Sequence, residues 1–138
     1  MSDFPVRQLR LVVEAEDFEA AVAFYRDVLG LPEEAAFSTG EEARVVILDA
    51  GRATLELVNP AQKRYIDEVE VGRDVAPKFR VAFEVGDCAA VTDRLVAGGA
   101  EPVAPPTRTP WQSVNARCDA PAGLHITVFQ ETVAGSDA

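Results

Sequence analysis

Histidine is almost missing from this chain: His125 stands alone among 138 residues. That excludes the His-rich metal centres, which draw several imidazoles together. Cysteine is nearly as scarce. Cys88 and Cys118 form no CxxC pair and no cluster, so they are expected to be reduced, partly buried thiols rather than a disulfide or a zinc site. No apolar run approaches the roughly 18–20 residues that cross a bilayer. The first residues lack the basic-then-apolar layout of a secretory leader. The expectation is a cytosolic protein with no membrane partner. Basic residues are the minority charge, 13 Lys and Arg against 23 Asp and Glu, a formal net charge of −10. Phosphate backbones need clustered cations, so nucleic acid is excluded as a partner. The field instead favours a cationic ligand, although solubility alone accounts for such a charge. There is also no phosphate loop, no GxSxG and no Cys–His pairing of nucleophile and base.

Hydrophobic residues are plentiful, at 48%, enough for one folded domain over 1–138. Met1–Asp3 and Ala134–Ala138 read as tails. The chain also repeats itself. Arg10-Leu-Val-Val-Glu-Ala-Glu-Asp17 and Arg80-Val-Ala-Phe-Glu-Val-Gly-Asp87 share Arg, Glu and Asp at 10/80, 14/84 and 17/87. Each Asp precedes a helical stripe: Phe18, Ala21, Val22, Tyr25 and Val28 up to Gly30, then Val91 and Leu95 up to Gly98-Gly99. An Asp carboxylate caps the free N–H groups of a first helical turn, and a glycine ends the last one. Asp49–Val58 parallels Asp119–Phe129 with one residue inserted. Room remains for strands near 34–38 and 43–49, and near 101–104 and 112–118. Each half therefore reads βαβββ, with repeat one at about 7–58, a connection over 59–77 and repeat two at about 78–131. The fold class is α+β: two such units forming a curved mixed sheet around a cup, helices outside.

Alternation along the strands assigns the two faces. Leu9, Leu11, Val13, Leu55, Leu57, Phe79, Val81, Phe83, Leu124, Ile126 and Val128 are expected beneath the helices. Gln8, Arg10, Glu56, Arg80, His125, Thr127 and Phe129 are expected in the cup. A sheet face that is polar at its centre is either wet or a ligand site.

The segments Glu16–Leu31, Thr54–Val58, Val81–Val85 and Pro121–Phe129 resemble the recurring segments of the vicinal oxygen chelate superfamily. Its members include glyoxalase I, bleomycin- and fosfomycin-resistance proteins, extradiol dioxygenases and methylmalonyl-CoA epimerase. The resemblance covers nearly the whole chain. It implies a small-molecule ligand and a homodimer. Metal-dependent members hold their ion with four cup-facing residues, usually His or Gln, Glu, His and Glu. Matched segment to segment, those positions are Arg10, Glu56, Arg80 and Thr127. Two guanidiniums there repel a divalent cation, so no metal or other cofactor is expected. A displaced divalent metal site would have to draw on Gln8, Glu56 and His125.

Two functions follow as expectations. The first is a metal-independent small-molecule-binding protein, sequestering a drug-like or aromatic ligand as the antibiotic-resistance members do. Arg10, Glu56, Arg80, His125, Thr127 and Trp111 would be the ligand-binding residues. The second is an enzyme of the superfamily, a lyase, isomerase or dioxygenase, with Glu56 as catalytic base or as ligand of a shifted metal set. His125 reads as a hydrogen-bonded wall residue or a proton shuttle. Trp111, in the proline-rich loop Pro105–Trp111, reads as a ligand contact, a rim seal or an interface residue. Tyr65 lies in the long 59–77 connection, a lid or binding segment, with a short helix over Ile66–Val71 as the other reading.

Overall fold

A computed structural model describes residues 5–40 and 42–132; the two expected tails lie outside the described residues. Strand β1 (Gln8–Glu14) leads into helix α1 (Phe18–Val22), which continues as a π-helical segment over Ala23–Val28. Strands β2 (Glu33–Thr39), β3 (Ala43–Ala50) and β4 (Ala53–Val58) complete the first unit, and helix α2 (Pro60–Glu70) connects it to the second. Strand β5 (Phe79–Glu84), helix α3 (Cys88–Ala97) and strands β6 (Glu101–Thr109), β7 (Ser113–Ala120) and β8 (Leu124–Glu131) repeat the pattern. All eight strands form one sheet in the order β2-β3-β4-β1-β5-β8-β7-β6. In each unit the first strand lies parallel to the last, β1 with β4 and β5 with β8. The units join where β1 and β5 pair antiparallel, which sets Arg10 opposite Ala82 and Val12 opposite Arg80.

The paired Asp caps form as the repeat predicts. Asp17 Oδ1 accepts from the Ala20 N–H at 3.1 Å, and Asp87 Oδ1 from the Ala90 N–H at 3.0 Å. Gly99 takes the positive φ (118°) that stops α3.

On the outer face, α1 buries Phe18 and Val22 against Val46, Leu48 and Leu57. Helix α3 buries Cys88 and Val91 against Val85, Ala116 and Val128. Both thiols are free and buried. Each helix sits over its own unit, so the seam between the units is left open. Leu9, Leu11, Phe79 and Leu124 were expected under the helices but remain 40%, 38%, 56% and 45% exposed.

The connection 59–77 is the largest departure from expectation. Rather than a short helix over 66–71, it forms a full α2, started by Asn59, whose Oδ1 accepts from the Gln62 N–H at 2.8 Å, and by Pro60 in the first turn. It packs on the inner face of the sheet, where Ile66 joins Val12, Val45, Ile47, Val58, Ala82 and Phe129. Of the three α-helices among the described residues, α1 and α3 are therefore outside and α2 is in the cup. The proline-rich segment also differs from the expected loop. Residues through Thr109 belong to β6, an edge strand, where prolines that cannot donate to a ladder are tolerated.

Candidate functional site

Alternation places Arg10, Glu56, Arg80, His125 and Thr127 on the inner face, as expected, but divides them between two clusters. In the first, Arg10 Nη1 lies 3.6 Å from Glu56 Oε1, and the Arg10 guanidinium stands 5.1 Å over the Phe129 ring. Arg10 Nε donates to Gln8 Oε1 at 3.2 Å. Gln8 in turn donates to Glu84 at 2.8 Å and accepts from the Thr54 hydroxyl at 2.8 Å.

The second cluster centres on Arg117, which the sequence reading passed over. Its side chain is fully buried. Arg117 Nε donates to Glu70 Oε1 at 2.7 Å and Nη2 to Asp67 Oδ1 at 2.9 Å, both carboxylates coming from α2. Its Nη1 lies 3.0 Å from His125 Nε2. Arg117 can only donate, so Nε2 is the acceptor, and His125 Nδ1–H donates to Asp119 at 3.0 Å. Glu70 Oε2 accepts from Asn115 Nδ2 at 2.6 Å. Asp67 Oδ2 accepts from Lys63 at 3.2 Å and from the Val75 and Ala76 N–H groups at 3.0 Å each. The signal for Arg117 was present in the sequence: Ser113-Val-Asn-Ala-Arg-Cys-Asp-Ala120 alternates polar and apolar, which puts Ser113, Asn115, Arg117 and Asp119 on one face.

Arg80 sits between the clusters, 8% exposed. Its Nη1 donates to Thr127 Oγ1 at 2.7 Å, and no carboxylate lies within salt-bridge reach of it among the described residues. Trp111 occupies the β6–β7 turn, its ring centroid 5.9 Å from that of Tyr65 on α2. It thus touches the helix that fills the cup, and among the described residues it makes no hydrogen bond or ring contact with the other five expected site residues. A small cavity of about 10 Å³ lies between Val12, Val58, Lys63, Ile66, Asp67 and Arg80, roughly one water in size.

The electrostatics follow from this packing. Burial alone would raise the Asp67 carboxyl, but the Ala76 N–H, Arg117 and Lys63 outweigh it and hold the group at about 2. Burial pushes His125 below its ordinary value, and the charges of Arg117 and Arg80 add to that against the opposing pull of Asp119. Burial lowers Arg80 as well, with Arg117 adding to the effect.

The His125 shift has a testable sign. In the folded chain His125 gives up its proton at a lower pH than in the unfolded chain. As pH falls below about 6.5, the unfolded state takes up protons first and stability declines, until the folded His125 is itself protonated. Urea unfolding between pH 7.5 and 5 should show this decline (about 6.5 being the ordinary imidazole value), and His125→Gln should flatten it. An equal slope in the variant would place the effect elsewhere.

The donor set does not fit a divalent cation. Of the four positions implied by the superfamily, two are guanidiniums, and the Thr127 hydroxyl already accepts from one of them. The displaced set fits no better: Gln8 Oε1 accepts from Arg10 and Thr54, and both His125 nitrogens are engaged. Among the described residues no three His, Cys, Asp or Glu side chains stand together as ligands.

A search of curated protein sequences finds no match. Solved structures share the fold. The hypothetical protein BH1468 from Bacillus halodurans C-125 is 12% identical, with a TM-score of 0.67 over 97% of this chain and 99% of that one. Methylmalonyl-CoA epimerase from Mycobacterium tuberculosis is 19% identical, with a TM-score of 0.64 over 96% and 91%. A mutant 4-hydroxymandelate synthase from Streptomyces coelicolor is 20% identical, with a TM-score of 0.60 over 96% of this chain and 40% of that one. A family model matches residues 7–128, which covers the first βαβββ unit and all but the end of the second, and by that match the chain belongs to the Glyoxalase/Bleomycin resistance protein/Dioxygenase superfamily.

Proposed function

We propose that this protein binds a small organic molecule on the inner face of its sheet without a metal, and so sequesters it. The observation that carries the reading is the pair of guanidiniums, Arg10 and Arg80, at two of the four positions where the superfamily's metal-dependent members hold their ion. Guanidiniums bind carboxylates and carbonyls of organic ligands through paired N–H donors. A thermal-shift screen of drug-like, aromatic and acidic compounds in the presence of EDTA tests it, because a ligand of the folded state alone raises its stability. Hits that need an added divalent ion, or none in any class, count against it.

The protein acts in the cytosol, where Cys88 and Cys118 stay reduced, and as a homodimer. The open seam of Leu9, Leu11, Phe79 and Leu124 supports the dimer: a contiguous apolar strip on a sheet face gains by burial against a second copy. Light scattering on the eluting peak should report two chains, and Leu11→Arg with Phe79→Glu should report one. A dimer that survives both substitutions uses another surface.

The second reading, an enzyme, rests on Glu56. Its side chain is 11% exposed, and it takes no hydrogen bond among the described residues, so an oxygen is free to accept a proton. The structural relatives named as epimerase and synthase support this reading. If it holds, Glu56→Gln abolishes turnover and leaves binding of the same compound within a few-fold. Turnover unaffected by Glu56→Gln would remove Glu56 as the base.

A further inference from the structure

Helix α2 is an unusual occupant of a protein interior. Its buried residues are Gln62, Ile66, Asp67 and Glu70, three of them polar. A helix packed permanently into a core presents an apolar stripe. This one is fastened by two carboxylates, one turn apart, on a single guanidinium, Arg117. Buried ion pairs of this kind are weak evidence for stability, because desolvation offsets much of their attraction.

The seat is also unfinished. Gln62 Oε1 is buried without a hydrogen-bond partner among the described residues. Among the described residues the Arg80 guanidinium makes one hydrogen bond, to Thr127, although it carries five N–H donors. Arg80 also lines the 10 Å³ cavity, with Lys63, Ile66 and Asp67 of α2. The unpaired Gln62 oxygen disfavours the closed arrangement. A cation with spare donors, a void beside it and an acidic helix on the neighbouring cation together describe a site built for oxyanions and covered by the protein's own acids.

We infer that α2 is a displaceable plug whose Asp67 and Glu70 occupy Arg117 in place of one acid group of the ligand, and that the ligand is a small dicarboxylate taken by Arg117, Asn115 and Arg80. This rests on the small-molecule reading above and adds a ligand class and a gate to it. One acid group replaces Glu70 on Arg117 Nε and Asn115 Nδ2. The other reaches the unused donors of Arg80. When α2 leaves, Trp111 loses Tyr65, its ring partner, and the chain's one tryptophan reports the opening.

The test is a titration of the full chain with succinate and with glutarate, against sodium chloride at matched ionic strength. Trp111 emission and backbone hydrogen exchange over residues 60–70 are followed together. Both diacids should shift the emission to the red and speed exchange in α2, while sodium chloride does neither. Glu70→Gln keeps the Asp67–Arg117 pair and should need about tenfold less succinate, the worth of one charge-assisted hydrogen bond. Combining it with Asp67→Asn and Arg117→Gln keeps a neutral network of similar shape and should abolish the response. Unmoved emission and exchange in both the parent and Glu70→Gln overturn the inference, as does an undiminished response in the triple variant. A neutral or cationic compound that binds while α2 exchange stays slow overturns the plug but leaves the small-molecule reading standing. No binding of any class, diacids included, defeats both.

Discussion

Arg117→Ala is expected to lower the unfolding free energy by about 3–5 kcal/mol, the cost of leaving buried carboxylates without their cation. The side chains of Arg117, Asp67 and Glu70 are all at most 1% exposed. Removing the guanidinium strips Glu70 Oε1 and Asp67 Oδ1 of their donors and takes a hydrogen bond from His125 Nε2. Among the described residues Asp67 keeps Lys63 and two backbone N–H groups, and Glu70 keeps only Asn115. Glu70 therefore carries most of the loss, and Arg117→Ala combined with Glu70→Gln should recover part of it. Urea unfolding of the two variants beside the parent measures both numbers. A change under about 1 kcal/mol for Arg117→Ala, the range of an exposed pair, would mean that α2 does not hold its place through this cluster.

Arg80→Met should separate stability from binding. Arg80 is buried and, among the described residues, has a hydroxyl as its one hydrogen-bond partner, while Glu70, Glu56 and Asp67 act on it only through space. Replacing such a cation by an apolar chain of similar length removes a desolvation cost, so the variant should be as stable as the parent or up to about 2 kcal/mol more stable. Its affinity for a compound found in the EDTA screen should fall about tenfold to a hundredfold, the value of charge-assisted hydrogen bonds. Chemical unfolding and calorimetry on one preparation read both effects. A variant that loses stability and keeps affinity would reduce Arg80 to a structural cation.

The sequence was most legible where the signal is local. Asp17 and Asp87 cap their helices, and the alternating strands present Arg10, Glu56, Arg80, His125 and Thr127 to one face. These features follow from capping chemistry and a two-residue period, and neither needs knowledge of distant contacts. Helix α2 was not legible in the same way. Its buried residues are mostly polar, so a hydrophobic stripe marks it poorly, and its place is decided by Arg117 and Asn115 on β7, 45–50 residues further on. The alternation that would have placed Arg117 was there to read, but its partners on α2 were not. The exposure of Leu9, Leu11, Phe79 and Leu124 was missed for a related reason. Periodicity tells which face a side chain takes, and the helix positions above the sheet decide whether that face is covered.

Calorimetric titration of EDTA-treated protein with a screened compound, parent and Arg80→Met side by side, bears most directly on metal-free binding at the inner face. Binding by the parent, unchanged when zinc or manganese is added, with affinity lost in a folded Arg80→Met, is the expected result. Binding that appears only with the metal, or that Arg80→Met retains in full, would contradict it.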